Sequence, residues 1–205
     1  MLFRSYLIVG FVSTFVLLYF LLASGDLFLR KTVRLIPTLR NKIQAVEVAR
    51  EIQAMLGRYF FTVTVINAGL GVATAIAMQL LGMPNALLWG AMAMLLNYIP
   101  YLGPTASLVI LSVAAVVTFD NLAQIWPVPA VFLTLTVLEG QLLQPVVVGR
   151  SLRMNPVMVF VAVLLLGWLW GIAGMFIAVP ILATLKVICD HVERFAALGE
   201  YLGRG

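Results

Sequence analysis

Asn97-Tyr98-Ile99-Pro100-Tyr101-Leu102-Gly103-Pro104 lies in the middle of a run, from Arg58 to Asp120, that contains no charged residue. An apolar stretch of that length has to supply several membrane segments rather than one element of a soluble core. Its centre cannot continue a helix. Pro100 and Pro104 lack an N–H, and Gly103 permits unusual backbone angles. Asn97, Tyr98 and Tyr101 can hydrogen-bond either the freed backbone or a polar solute. Broken backbone inside a bilayer is tolerated only where protein or a water-lined cavity satisfies it. The stretch therefore predicts an irregular element at membrane depth, an ordinary interhelical turn being the plainer alternative.

The composition agrees. Of 205 residues, 63% are hydrophobic and only 10% charged, against about 25% charged in soluble domains. This is the balance of an all-α integral membrane protein with the lipid bilayer as its solvent. The formal net charge of +5 does not point to nucleic acid, because the basic residues sit in short stretches flanking apolar spans. Cys189 is the sole cysteine, so no internal disulfide can form. Arg4, the apolar run 6–22 and Ala23-Ser24-Gly25 have the outline of a signal peptide. Cleavage there would expel the basic segment that follows, so a retained transmembrane helix is expected over 1–25.

Residues 26–58 carry seven Lys and Arg against Asp26, Glu47 and Glu51. After Pro37 the apolar residues Ala45, Val48, Ile52, Met55 and Tyr59 recur at helical spacing, which predicts a cytoplasmic amphipathic helix. A full span follows at 59–81, then a turn at Gly82-Met83-Pro84-Asn85. The next two segments, 86–98 and 105–119, reach only about 20–22 Å at 1.5 Å per residue, short of the roughly 30 Å of a bilayer core. They read as a hairpin with its tip at 99–104, completing a unit 59–119. The unit 120–188 repeats the plan. A span over 125–144 carries Pro127 and Pro129 in its first turns, where a helix tolerates them. A second hairpin follows, 157–170 and 175–188, joined by Gly171-Ile172-Ala173-Gly174. Residues 189–205 form a cytoplasmic tail. Nearly all the basic residues then fall on one side, whether the hairpins are re-entrant or fully spanning.

One hairpin enters from outside and the other from inside. That is the plan of an inverted repeat, whose broken elements meet near the midplane around a substrate site. A multi-span helical transporter core is the expected architecture. Glu139 is the only acid inside a predicted span, and an intramembrane carboxylate is a candidate proton or cation site. The competing reading is a carboxylate that reaches the membrane interface or is bonded to Gln141, Gln144 or backbone. Gly167 and Gly171 are spaced for helix packing. Cys189, Asp190, His191 and Glu193 resemble a metal cluster in composition only, and a solvated helix face with Asp190 paired to Arg194 is expected instead. Neither a metal nor a cofactor is expected. The sequence contains no HExxH, Walker loop, GxSxG or paired intramembrane aspartates, so an enzyme is not expected.

The tip motif resembles the NxIPYxGP signature of the autoinducer-2 exporter family of bacterial permeases, also called PerM-type. Glu139-Gly140-Gln141-Leu142-Leu143-Gln144-Pro145, with Gly149-Arg150 and Asn155-Pro156, resembles the family's second block, and Gly171 to Pro180 resembles a third. The resemblance runs from about residue 15 to 190. It implies an inner-membrane secondary transporter that assembles as a homo-oligomer, a pentamer, with members linked to export of the quorum-sensing signal autoinducer-2 or to sodium/proton exchange. On this reading the substrate pathway comprises Asn97, Tyr98, Pro100, Tyr101, Gly103, Pro104, Glu139, Gln141, Gln144, Pro145, Asn155, Pro156, Gly171 and Gly174. Family members carry further helices before the one at 6–24, so the chain reads as a C-terminal portion or a naturally short member.

Overall fold

A computed structural model describes the backbone of residues 2–141, 154–192, 195, 199–200 and 202–203, with side chains from Val9 onward. Among them there is no β-strand; apart from helices, the only regular pairing is an isolated antiparallel bridge between Met154 and Gly203. The chain divides into two compact units, residues 1–51 and 52–205.

In the first unit α1 (Leu2–Ser24) is followed by α2 (Leu27–Leu35), bent 61° from it across a break at Gly25, whose φ is 48°. The side chains of α1 from Val9 on are almost all exposed, Phe11, Phe15 and Leu22 among them, as a lipid-facing helix requires. The much shorter α2 mixes Leu27, Phe28 and Leu35 with Arg30, Lys31 and Arg34. It ends at Ile36, which is extended because Pro37 follows it.

α3 (Leu39–Leu80) is one continuous helix. The sequence places a division at Arg58, but no proline or helix-stopping turn lies between Leu39 and Leu80, and a change from amphipathic to apolar composition does not interrupt a hydrogen-bond ladder. Its apolar end stops at Gly82 (φ 77°) and Asn85 (φ 55°), a turn pinned by Trp89 Nε1 donating to the Pro84 carbonyl at 2.8 Å.

The first hairpin consists of α4 (Ala86–Leu96) and α5 (Leu102–Thr118). α4 can approach α3 closely because two glycines face each other. A Cβ on Gly71 would lie 2.9 Å from the Gly90 carbonyl oxygen, and one on Gly90 would overlap that of Gly71. α5 then packs on α7 (Pro127–Leu138), after the one-turn α6 (Leu122–Ile125). Asn121 caps α6 by accepting from the Ala123 N–H at 3.0 Å, and Pro127 occupies the first position of α7. Met78, Leu111, Val128 and Phe132 interlock α3, α5 and α7 and are almost fully buried.

α8 (Pro156–His191) is helical on both sides of Gly171 but reverses there, with φ 62° and ψ −145°. The reversal shows in packing between residues eight apart. A Cβ on Gly174 would overlap the Leu166 carbonyl oxygen, and one on Gly167 would meet the Met175 side chain at 2.7–2.8 Å. A straight helix would hold such residues about 12 Å apart. The second hairpin is thus real but tighter than the four-residue link 171–174, since Gly171 alone makes the turn. Gly171 is therefore not a packing glycine, whereas Gly167 is.

Beyond the second hairpin, Asp190 pairs with Lys186, one turn before it, at 2.5 Å; its expected partner Arg194 lies outside the described residues. Cys189 is 3% exposed rather than on a solvated face. The tail returns toward the start of α8, where the Asn155 N–H donates to the Leu202 carbonyl at 3.0 Å.

Candidate functional site

The tip of the first hairpin is a γ-turn. Tyr101 has φ 64° and ψ −51°, and the Leu102 N–H donates to the Pro100 carbonyl two residues back at 2.7 Å. Turns of this hand are rare and strained, and strain at such a position persists only where the surroundings over-determine it. The sequence assigns the unusual backbone angle to Gly103, but the structure gives it to Tyr101. Gly103 has a different duty. It lies where α5 crosses the end of α4, and a Cβ there would overlap the Leu96 carbonyl. Pro104 sits in the first turn of α5, where its missing N–H goes unmissed.

Neighbouring elements hold the tip from two sides. On the α3 side, the Tyr98 and Thr64 hydroxyls share a hydrogen bond of 2.7 Å, and Asn97 Nδ2 donates to Asn67 Oδ1 at 2.9 Å. On the α8 side, Tyr98 stacks on Phe176 with ring centres 5.8 Å apart, and Tyr101 meets Phe160 edge-on at 6.0 Å. Ile99 is buried with Val163 and Ala178 of the second hairpin. The two hairpins are therefore in direct contact.

A cavity of about 630 Å³ opens beside this tip, within the usual size of small-molecule sites. The hairpin tip contributes Asn97, Tyr98, Pro100, Tyr101 and Pro104 to its wall. α3 adds Tyr59 and Asn67, and the end of α7 adds Thr136 and Glu139. Pro156 and Val159 close the side made by α8. Glu139 is only 5% exposed. It ends α7 and begins a wider, π-type turn that runs through Gly140 to Gln141. The described lining includes no Lys, Arg or His.

Among the described residues, five of those assigned to the pathway from sequence do not line this wall. Gly103 packs behind the tip, and Gly171 and Gly174 form the far turn of the second hairpin. Gln141 is exposed and lies off the cavity. Asn155 caps α8, accepting from the Val157 N–H at 3.0 Å. Gln144 and Pro145 lie outside the described residues. In the other direction, sequence reasoning passed over Tyr59, Thr64, Asn67 and Phe176. The signal for Asn67 was present: it is a carboxamide flanked by Val65, Ile66, Ala68 and Leu70.

The model of the family described as AI-2E family transporter matches residues 2–194. The chain belongs to the AI-2E transporter family. This family member is similar to "Putative transport protein YrrI" of Bacillus subtilis (strain 168), with 38% identity over 71% of this chain and 40% of the relative. It is 31% identical to "Putative transport protein YhhT" of Escherichia coli (strain K12), over 73% of this chain and 43% of that one. "AI-2 transport protein TqsA" of the same strain is 29% identical over 76% of this chain and 47% of its own length. This AI-2E family chain thus aligns with less than half the length of each of these three relatives. Both the family and the long apolar helices make it a membrane protein of the transporter and permease class.

Proposed function

We propose that the chain forms the conducting core of a secondary transporter of the bacterial inner membrane that exports a small polar metabolite, with autoinducer-2 as the specific candidate and the proton gradient as the driving force. The observation that carries this reading is the cavity itself, a largely apolar chamber with a few polar groups on its wall, bounded by a strained hairpin tip on one side and a buried carboxylate, Glu139, on another. Polar groups at membrane depth are costly unless they have a task. Autoinducer-2 enters through the name of the similar protein TqsA. In this reading the hairpins dip from opposite faces, the C-terminus is cytoplasmic, and the chain works as a homo-oligomer with the remaining helices of the whole protein. A sodium/proton antiporter is the second reading, supported by the position of Glu139 on the cavity wall.

The test is flux in inverted membrane vesicles expressing the whole protein. Saturable autoinducer-2 movement that is lost in Pro100→Ala and Asn97→Ala supports export. Glu139→Gln separates the two transport readings. If it leaves transport and its pH dependence intact, the antiporter fails. If Pro100→Ala and Asn97→Ala are silent for every solute and ion tried, the chain is a membrane scaffold and the transporter reading falls.

A further inference from the structure

One polar group on the cavity wall has no partner among the described residues. Asn67 is 1% exposed and comes from the apolar part of α3. Its Oδ1 accepts from Asn97 Nδ2, but its own Nδ2 has no hydrogen-bond partner among the described residues. A buried donor left unpaired forfeits its hydration without compensation. In a membrane protein no bulk solvent relieves it. Thr74 and Ser107 also bury unpartnered hydroxyls, but neither lines the cavity. Among the described residues, Asn67 alone combines burial, a missing partner and a place on the wall. Its amide plane is fixed, because Asn97 holds the oxygen.

We propose that Asn67 is the donor that reads the solute. Its Nδ2–H binds a hydroxyl or carbonyl oxygen of a small uncharged molecule, and Asn97 is the positioning residue that keeps the carboxamide aimed. This deepens the transporter reading above and rests on it. The surrounding chemistry selects the class. Tyr59 and Tyr101 offer hydroxyls that can donate or accept, and Thr105 and Thr136, whose protons go to backbone carbonyls, offer acceptors. Glu139 is the only acid of the described lining. An oxygen-rich neutral solute, a polyol or a sugar-like hydroxyketone, meets donors and acceptors throughout.

The test is a thermal-shift titration of the full chain in lipid nanodiscs with three neutral probes, autoinducer-2, ribose and erythritol. Tetramethylammonium, a cation without hydrogen-bonding groups, serves as the control. Binding to the folded state raises the melting temperature by mass action. At least one neutral probe is expected to raise it in the wild type. Asn67→Asp keeps the acceptor for Asn97 and removes the donor, and is expected to weaken that probe at least tenfold. Asn67→Leu, which replaces the amide by an apolar group of similar size, gives the same result if the aspartate variant fails to fold. Asn97→Asp cannot donate to Asn67 and is expected to flatten the preference among the three probes, which a merely structural role would leave unchanged. A shift by ribose or erythritol without one by autoinducer-2 upholds the inference and removes autoinducer-2 from the transporter reading. The inference is overturned if none of the three shifts the wild type, if only tetramethylammonium does, or if both Asn67 variants bind as the wild type.

Discussion

Gly103→Ala adds a single methyl group at the tip of the first hairpin, and the structure says what that methyl meets. It would overlap the Leu96 carbonyl oxygen and lie 2.6 Å from the Leu96 carbonyl carbon. Restoring even a 3.4 Å contact to that carbon takes about 0.8 Å of separation, and more for the oxygen. Neither atom can rotate away, because both are backbone. A gap of 0.5–1 Å forfeits roughly a quarter to a half of each dispersion contact it opens. The hairpin must therefore part along its length or strain at its tip. Overpacking costs about 1–3 kcal/mol where neighbours can adjust, and a rigid carbonyl places this site at the upper end. About 3 kcal/mol is more than a hundredfold in equilibrium constant. At about 2–4 °C per kcal/mol for a chain of this size, thermal unfolding in nanodiscs should drop by roughly 6–12 °C. The control is Gly69→Ala, where an added Cβ meets nothing within 4 Å and helix propensity favours alanine by up to about 1 kcal/mol. The Gly103 backbone does not have the positive φ that penalises alanine, so space alone separates the two variants. Equal melting of Gly103→Ala and Gly69→Ala would refute the closed hairpin.

Gly171→Ala has open space around its Cβ but the backbone angles of a glycine-only region, so it should lose about 1–3 kcal/mol in the same melting assay. Wild-type stability there would mean that α8 does not reverse at Gly171. Tyr98→Phe removes the hydroxyl bonded to Thr64 and retains the ring stacked on Phe176. A double-mutant cycle with Thr64→Val should return a coupling of about 0.5–1.5 kcal/mol, and a coupling of zero would show that the tip is not tied to α3.

The membrane class and both hairpins were legible in sequence because they follow from local composition, namely where charge is missing and where Pro, Gly and Asn interrupt. The tip motif Asn97–Pro104 was legible for the same reason. What escaped were features set by contact between distant segments. Gly103 carries no local sign that α5 must pass within a methyl's width of Leu96. The positive φ of Tyr101 follows from closing a turn between two packed helices, and the nearby glycine drew the assignment instead. Asn67 is one polar residue among apolar neighbours, and its meaning depends on Asn97, 30 residues away. Cys189 and Asp190 were read from their own helix alone, whereas the returning tail crowds that helix: a Cβ on Gly199 would lie 2.7 Å from Asp190 Oδ1.

The two hairpins solve one steric problem with the same device, which supports reading them as two halves of a repeat. In each, a limb ends near a leucine, the chain turns through a residue of positive φ, and a glycine two or three positions later abuts that leucine's carbonyl. Leu96, Tyr101 and Gly103 play these parts in the first hairpin, and Leu166, Gly171 and Gly174 in the second. They differ at the residue of positive φ. The second hairpin uses glycine, which adopts the angle freely. The first uses a tyrosine, which does so at a cost of about 1–3 kcal/mol. A turn with no task beyond reversal would be better served by glycine in both places. The costly residue is also the one whose side chain lines the cavity and meets Phe160 of the opposite hairpin. The asymmetry between two otherwise equivalent turns supports the proposed site at Tyr101 and a purely structural part for the Gly171 turn.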